Sequence, residues 1–252
     1  MVTGATSGIG WATALRLLHP EVNAKVIALG RDAGALEGLK AAVRQEELPQ
    51  DHLVGVRADL SDPADIDLAV QEALSAFGRV DALVNNAAEG WAGPFADQEP
   101  ESADYLVRVN LIAPIRLTRA LLPRMLERGQ GAIVNVASIA GHVGAKHEAV
   151  YASTKAGLLG FSESLRYELR GSGVSVGVVS PGVVRTAFFE RRGRPYERRF
   201  PRPISAARVA EAIVRAIRSG RPELFVPRWM AIPARLRGTL PGPYRFLQGR
   251  FS

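Results

Sequence analysis

The sequence predicts one doubly wound α/β domain with a mainly parallel sheet, and three observations carry that prediction. A glycine-rich turn, Gly4-x-x-x-Gly8-x-Gly10, stands at the head of the chain between a strand end and a helix. Short apolar runs then alternate with longer amphipathic segments, the pattern of repeated β-α units. One run, Ala132–Ala137, is almost wholly apolar, as a strand buried on both faces of a parallel sheet must be. The 252 residues suit a single α/β domain, and neither a linker nor an internal repeat interrupts them. We place the domain at residues 1–227 and a basic amphipathic tail at 228–252.

In order, Met1–Thr3 is the first strand, short for a central position. Either the true start lies upstream or the strand is curtailed, and a curtailed one should leave neighbouring backbone groups unpaired. Lys25–Leu29 is the second strand, ending at Gly30-Arg31, with a polar-faced helix over 31–47. Leu53–Ala58 is the third, ending at Asp59-Leu60, where Ser61-Asp62-Pro63 reads as a helix start. Asp81–Asn85 is the fourth and leads to Asn86-Ala87-Ala88. A long helix over 101–128 carries Asn110 in its middle, where an Asn is unfavourable unless exposed or bonded. Ala132–Ala137 ends at Ser138, and Gly141 and Gly144 should loosen the chain beyond it into a loop. A helix over 150–170 stops at Gly171 and Gly173. Val174–Ser180 leads into Pro181-Gly182-Val-Val184-Arg-Thr186; 188–203 is dense in Arg and Pro; 205–220 is amphipathic; Glu223–Val226 is the last strand.

Composition narrows the function. With no cysteine and four scattered histidines, disulfides and Cys-based metal sites are excluded and no metal is expected. No apolar run reaches about 18 residues and no secretory signal precedes Gly4, so a cytoplasmic protein is expected. The net charge of +7 is uneven: residues 185–252 hold 16 Arg against 4 Glu, a local +12 that leaves −5 for the rest. Prolines interrupt the basic stretch and it matches no nucleic-acid motif, so no nucleic-acid partner is expected.

The chemistry concentrates on the helix that opens Tyr151-Ala-Ser-Thr-Lys155. Tyrosine and lysine four residues apart share one helical face. A free tyrosine titrates near pH ~10, too high for ready proton exchange at neutral pH. A nearby ammonium favours the phenolate and lowers that value, so Lys155 should lower the pKa of Tyr151. Ser138, at a strand end beside this helix, can hydrogen-bond the oxygen that Tyr151 would protonate.

Ser138, Tyr151 and Lys155, with the serine thirteen residues before the tyrosine and the glycine turn ahead of them, resemble the single-domain branch of the short-chain dehydrogenase/reductase superfamily. The resemblance covers roughly residues 1–226. It implies a Rossmann sheet of order 3-2-1-4-5-6 plus an edge strand, and a homo-oligomer, dimer or tetramer. It implies catalysis by Asn110, Ser138, Tyr151 and Lys155, with Asn110 opening its helix locally. Cofactor contacts are implied for Gly4, Thr6, Ser7, Gly8, Ile9, Gly10, Asp59 (on the adenine edge), Leu60, Asn86, Ala87, Ala88, Tyr151, Lys155, Pro181, Gly182, Val184 and Thr186. Ala88 departs from the family's usual glycine and is tolerable if its φ is negative. Gly30 in place of an acidic residue, followed by Arg31, suits a 2′-phosphate and favours NADP over NAD.

The expected function is hydride transfer between a carbonyl and an alcohol, with an NADP-binding sensor or scaffold as the alternative. Val143, Phe188 and Phe189 suggest a lipophilic substrate, and His142 is either a pocket residue or an exposed one. In the tail, Ile232, Leu236 and Leu240, then Tyr244, Leu247 and Phe251, recur at helical spacing beside Arg235, Arg237, Arg245 and Arg250. Such a segment either packs on the domain or an oligomer interface, or lies peripherally on a membrane.

Overall fold

Each apolar run becomes a strand, and each strand feeds a helix that returns across the sheet. The computed structural model describes residues 1–244 and Phe246. β1 (Val2–Thr3) leads to α1 (Gly8–Leu18), β2 (Val26–Gly30) to α2 (Ala33–Gln45), and β3 (Leu53–Arg57) to α3 (Pro63–Phe77). β4 (Ala82–Asn85) leads to α4 (Pro100–Val107), a π-helical turn (Arg108–Ile112) and α5 (Ala113–Glu127). β5 (Gly131–Val136) precedes α6 (Ile139–Val143) and α7 (Ala149–Glu168). β6 (Val174–Pro181) opens into α8 (Phe188–Arg191) and α9 (Ala206–Ser219), and β7 (Glu223–Val226) into α10 (Ala231–Thr239).

The strand order is β3-β2-β1-β4-β5-β6-β7, with every pairing parallel. This is the predicted order with its extra edge strand. One face is packed by α1, α2 and α9 through Leu18, Leu39 and Ile213, the other by α3, α5 and α7 through Ile66, Leu117 and Leu165. The chain reverses its direction of winding between β1 and β4, which leaves a crevice at the carboxyl ends of those strands.

Two local expectations need correction. β1 is as short as the sequence suggested, yet its neighbours are not left unpaired. Val84 N–H donates to Met1 O at 2.9 Å, and the Met1 amine donates to Ala82 O at 2.8 Å. The segment after Ser138 is a short helix rather than a loop. Ser138 Oγ caps it by accepting from Ala140 N at 3.1 Å. Gly141 allows close approach there, since a Cβ would stand 2.8 Å from the Lys155 carbonyl carbon. The helix expected over 101–128 opens locally at Asn110, as the resemblance implied, through a π turn whose fifth-residue pattern inserts one extra residue there.

Candidate active site

The crevice is a cavity of about 940 Å³, at the upper end of the range for small-molecule and cofactor sites. Every catalytic or cofactor residue implied by the resemblance lines it, except Gly10 and Asn110. Gly10 acts from behind the wall: a Cβ there would stand 2.1 Å from Gly4 O, so the first turn of α1 packs directly on the glycine loop. Gly4 itself has φ +64°, and a Cβ on it would meet the Ala87 backbone at 2.8 Å. No side chain caps α1, whose N-cap is Ser7, so its leading N–H groups keep their bonding capacity at the cavity wall. Thr3 ties this loop to the end of β4, because its Oγ1 accepts from both Asn86 N and Ala87 N at 2.9 Å. An uncapped helix start, a glycine loop and a cavity of this volume fit a dinucleotide.

Ser138, at the end of β5, meets Tyr151 and Lys155 of α7 in the middle of the cavity. Lys155 is buried, donates to Val136 O at 2.9 Å and stands 5.8 Å from the Tyr151 ring centre. Burial lowers its pKa from 10.5 to about 8. Burial also pushes the Tyr151 phenol well above its ordinary value; the Ser138 hydroxyl offsets part of this, Glu148 adds to it and Arg192 works against it. The expected lowering of the tyrosine by Lys155 therefore does not appear in the protein alone. Desolvation disfavours both charged forms, and each group moves toward neutrality.

Asn110 sits wholly buried one layer back. Its Oδ1 accepts from Glu89 N at 2.8 Å, and its Nδ2 donates to Glu89 O at 2.9 Å and to Thr154 Oγ1 at 3.2 Å. The polar side chain that is awkward in an α-helix is satisfied because the π turn aims it at the β4 exit and at α7.

At the exit of β2, Arg31 reaches across the cavity, pairing with Glu89 at 2.9 Å and hydrogen-bonding Tyr105 Oη. Gly30 has a second reason for being glycine, since a Cβ would approach Thr6 Cγ2 to 2.3 Å. Asp59 lines the cavity while its carboxylate accepts from Ser61 N (2.9 Å) and Ser61 Oγ (2.8 Å), which also makes it a turn residue. Ala88 keeps an ordinary negative φ, as its methyl requires.

The outer wall is a lid over 188–203. Phe188 packs on Tyr151 at 5.4 Å, Phe189 on Phe188 at 5.6 Å, and Tyr196 on Phe189 at 5.4 Å. Arg192 is buried in this ladder, 4.5 Å over the Phe189 ring, and pairs with Glu148 at 2.5 Å. Arg191 reaches Ser7 Oγ at 3.4 Å. Sequence reading missed Glu89, Tyr105, Glu148, Arg191 and Arg192. The arginine density of the lid was visible, but the partners lie far away in the chain. His142 corrects another expectation, being neither a cavity residue nor exposed. It turns outward to Ser180 Oγ (3.0 Å), Glu223 (3.3 Å) and the Phe225 ring.

Fold and site together define a doubly wound α/β domain with a crevice that fits a dinucleotide. Residues 1–197 match the family model described as short chain dehydrogenase. The chain is 34% identical over 231 residues to the ketoacyl reductase HetN of Nostoc sp., covering 90% of this chain and 77% of that protein. It superposes with TM-score 0.80 and 30% identity on a short-chain dehydrogenase from Sphingobium yanoikuyae in complex with NADPH, covering 96% and 94% of the two chains. With a Burkholderia phymatum short-chain dehydrogenase/reductase in complex with NAD the TM-score is 0.84 at 26% identity, covering 94% and 91%. It spans 57–58% of the length of several mammalian relatives that it also matches. The chain belongs to the short-chain dehydrogenase/reductase family.

Proposed function

We propose that the protein interconverts a carbonyl and an alcohol by hydride transfer with NADP(H), on a lipophilic substrate. The observation that carries this reading is the meeting of Ser138, Tyr151 and Lys155 in the same cavity as the uncapped start of α1. Ketoacyl reduction in the Nostoc relative supports the reaction class. The bound nicotinamide supplies the hydride. Tyr151 gives the proton to the carbonyl oxygen, and Ser138 donates a hydrogen bond to the same atom. Lys155, buried but still largely protonated at neutral pH, places its charge beside Tyr151 and holds the nicotinamide ribose. Asn110 keeps the π turn open next to α7. Asp59 takes the adenine edge, and Thr186 the nicotinamide carboxamide.

The NADP preference rests on Arg31, a guanidinium at the end of β2 with no acidic residue at position 30 to repel a 2′-phosphate. The lipophilic substrate rests on Val143 and the aromatic ladder from Tyr151 to Tyr196. Cofactor oxidation with NADPH and with NADH, across a panel of short, long-chain and aromatic carbonyls, tests both. Turnover only with short polar carbonyls would overturn the substrate reading, and no turnover with any would favour a sensor.

We place the enzyme in the cytoplasm as a homo-oligomer, with the tail touching a membrane surface. Among the described residues no helix is long and apolar enough to cross a bilayer. Ile232, Leu236 and Leu240 lie exposed on and just after α10 rather than packed on the domain, beside Arg235 and Arg237. Phe200 and Trp229, stacked at 5.3 Å, continue this apolar surface to the cavity mouth. Leu247, Phe251, Arg245 and Arg250 fall outside the described residues.

A further inference from the structure

Arg31 already has an anionic partner. Its guanidinium pairs with Glu89 across the adenosine end of the cavity and hydrogen-bonds Tyr105 Oη, and all three side chains line that cavity. Glu89 is held at both backbone groups by Asn110, so its Cα stands at a fixed place opposite the β2 exit. A carboxylate so placed is well suited to hold Arg31 and poorly suited to neighbour a phosphate.

We propose that Glu89 is a specificity-determining residue that weakens the enzyme's choice of NADP over NAD by competing with the 2′-phosphate for Arg31. The proposal rests on the reading that Arg31 is the 2′-phosphate ligand. The two cofactors ask different things of the pair. A 2′-hydroxyl leaves the Arg31–Glu89 contact in place. A 2′-phosphate takes the guanidinium for itself and meets the Glu89 carboxylate as a like charge. Both effects of Glu89, the pairing that must be given up and the repulsion, thus favour the unphosphorylated cofactor relative to what Gly30-Arg31 alone would give. The pair is partly solvated, with side-chain exposures of 55% and 24%, so the effect belongs to the modest class of screened ion pairs.

Dissociation constants for NADPH and NADH, read from cofactor fluorescence on the full chain at low salt, test this without reference to turnover. Glu89→Gln should tighten NADPH by about threefold to fivefold and change NADH by less than about twofold, the size expected of one partly exposed pair. Glu89→Ala should act in the same direction, and Glu89→Asp, which keeps the charge, should leave the ratio near that of the native protein. In an Arg31→Ala background Glu89→Gln should no longer change the ratio beyond simple charge repulsion. If Glu89→Gln shifts both cofactors alike, or neither, the proposal is overturned while the Arg31 reading stands. If Arg31→Ala alone leaves the NADPH/NADH ratio unchanged, the Arg31 reading fails and the Glu89 proposal falls with it. Equal affinities in the native protein together with a fall in the NADPH/NADH ratio of dissociation constants on Glu89→Gln would support the proposal and remove the claimed preference.

Discussion

At the scale of the residue, the site is governed by desolvation. Tyr151 and Lys155 are both buried and both displaced toward their neutral forms. A phenol pushed up in this way keeps its proton but is a weak acid, so it becomes an effective donor, or a base, only when nearby charge compensates burial. Tyr151→Phe should cut carbonyl turnover by at least ~10²-fold, the usual contribution of a positioned general acid, while the NADPH dissociation constant stays within about twofold. Retention of more than about a tenth of turnover would remove Tyr151 from that role.

Lys155 makes a separate prediction about stability. Its folded pKa, about 8, lies below the 10.5 of a free lysine, so between these values the unfolded chain binds more protons. Stability therefore rises with pH across that window, and the burial penalty is fully present below it. Against Lys155→Met, which cannot titrate, the wild type should gain up to ~3 kcal/mol between pH 8 and 10.5, an upper bound from the shift itself. Urea unfolding of both proteins across that range measures it, and a constant difference would contradict a buried, depressed lysine.

At the scale of the element, the π turn and β1 do the positioning. Asn110→Leu removes three hydrogen bonds and leaves the Glu89 N–H and C=O without their partners. Loss of about 2 kcal/mol in denaturant unfolding is expected, with weaker cofactor binding because the β4 exit loses its brace. Thr3→Val, which removes the hydroxyl accepting from Asn86 and Ala87, should cost about 1–2 kcal/mol and also loosen the cofactor. Elements of this kind divide what a sequence makes legible from what it hides. Strands and helices were legible because apolar period and glycine punctuation are local. Ser138, Tyr151 and Lys155 were legible because a short spacing on a strand end and one helix carries them. The pairs Arg31–Glu89 and Arg192–Glu148 were not, since each joins charges from separate segments that only the fold brings together. His142 misled because its chain position, near the end of α6, says nothing of the outward direction it takes toward β6 and β7. Gly30 was half legible: the room it leaves at the strand end shows in the sequence, and the crowding by Thr6 does not. A Gly30→Asp change meant to switch cofactor therefore needs a smaller residue at position 6 as well.

At the scale of the whole molecule, charge and hydrophobicity are segregated to one end. The catalytic body is acidic on balance and the last quarter strongly basic. α10 and its neighbours present apolar side chains between arginines beside the cavity mouth. On an anionic bilayer each arginine near the surface adds roughly 1 kcal/mol of attraction. The full chain should co-sediment with anionic vesicles at low salt and be released at high salt, and a form ending at Pro227 should not. If both stay in the supernatant, the tail does not bind membranes, and light scattering then shows whether a second copy covers it.

The lid has a consequence for the order of events during turnover. Its root, at Thr186 and Arg191, touches the glycine loop; its tip opens toward Phe200 and Trp229 at the rim. A guest beneath the root leaves only when the whole segment lifts, whereas one beneath the tip can leave through the mouth. The dinucleotide should therefore arrive first and depart last. Steady-state product inhibition would show it: oxidised cofactor competing with reduced cofactor, and the alcohol product mixed against both substrates.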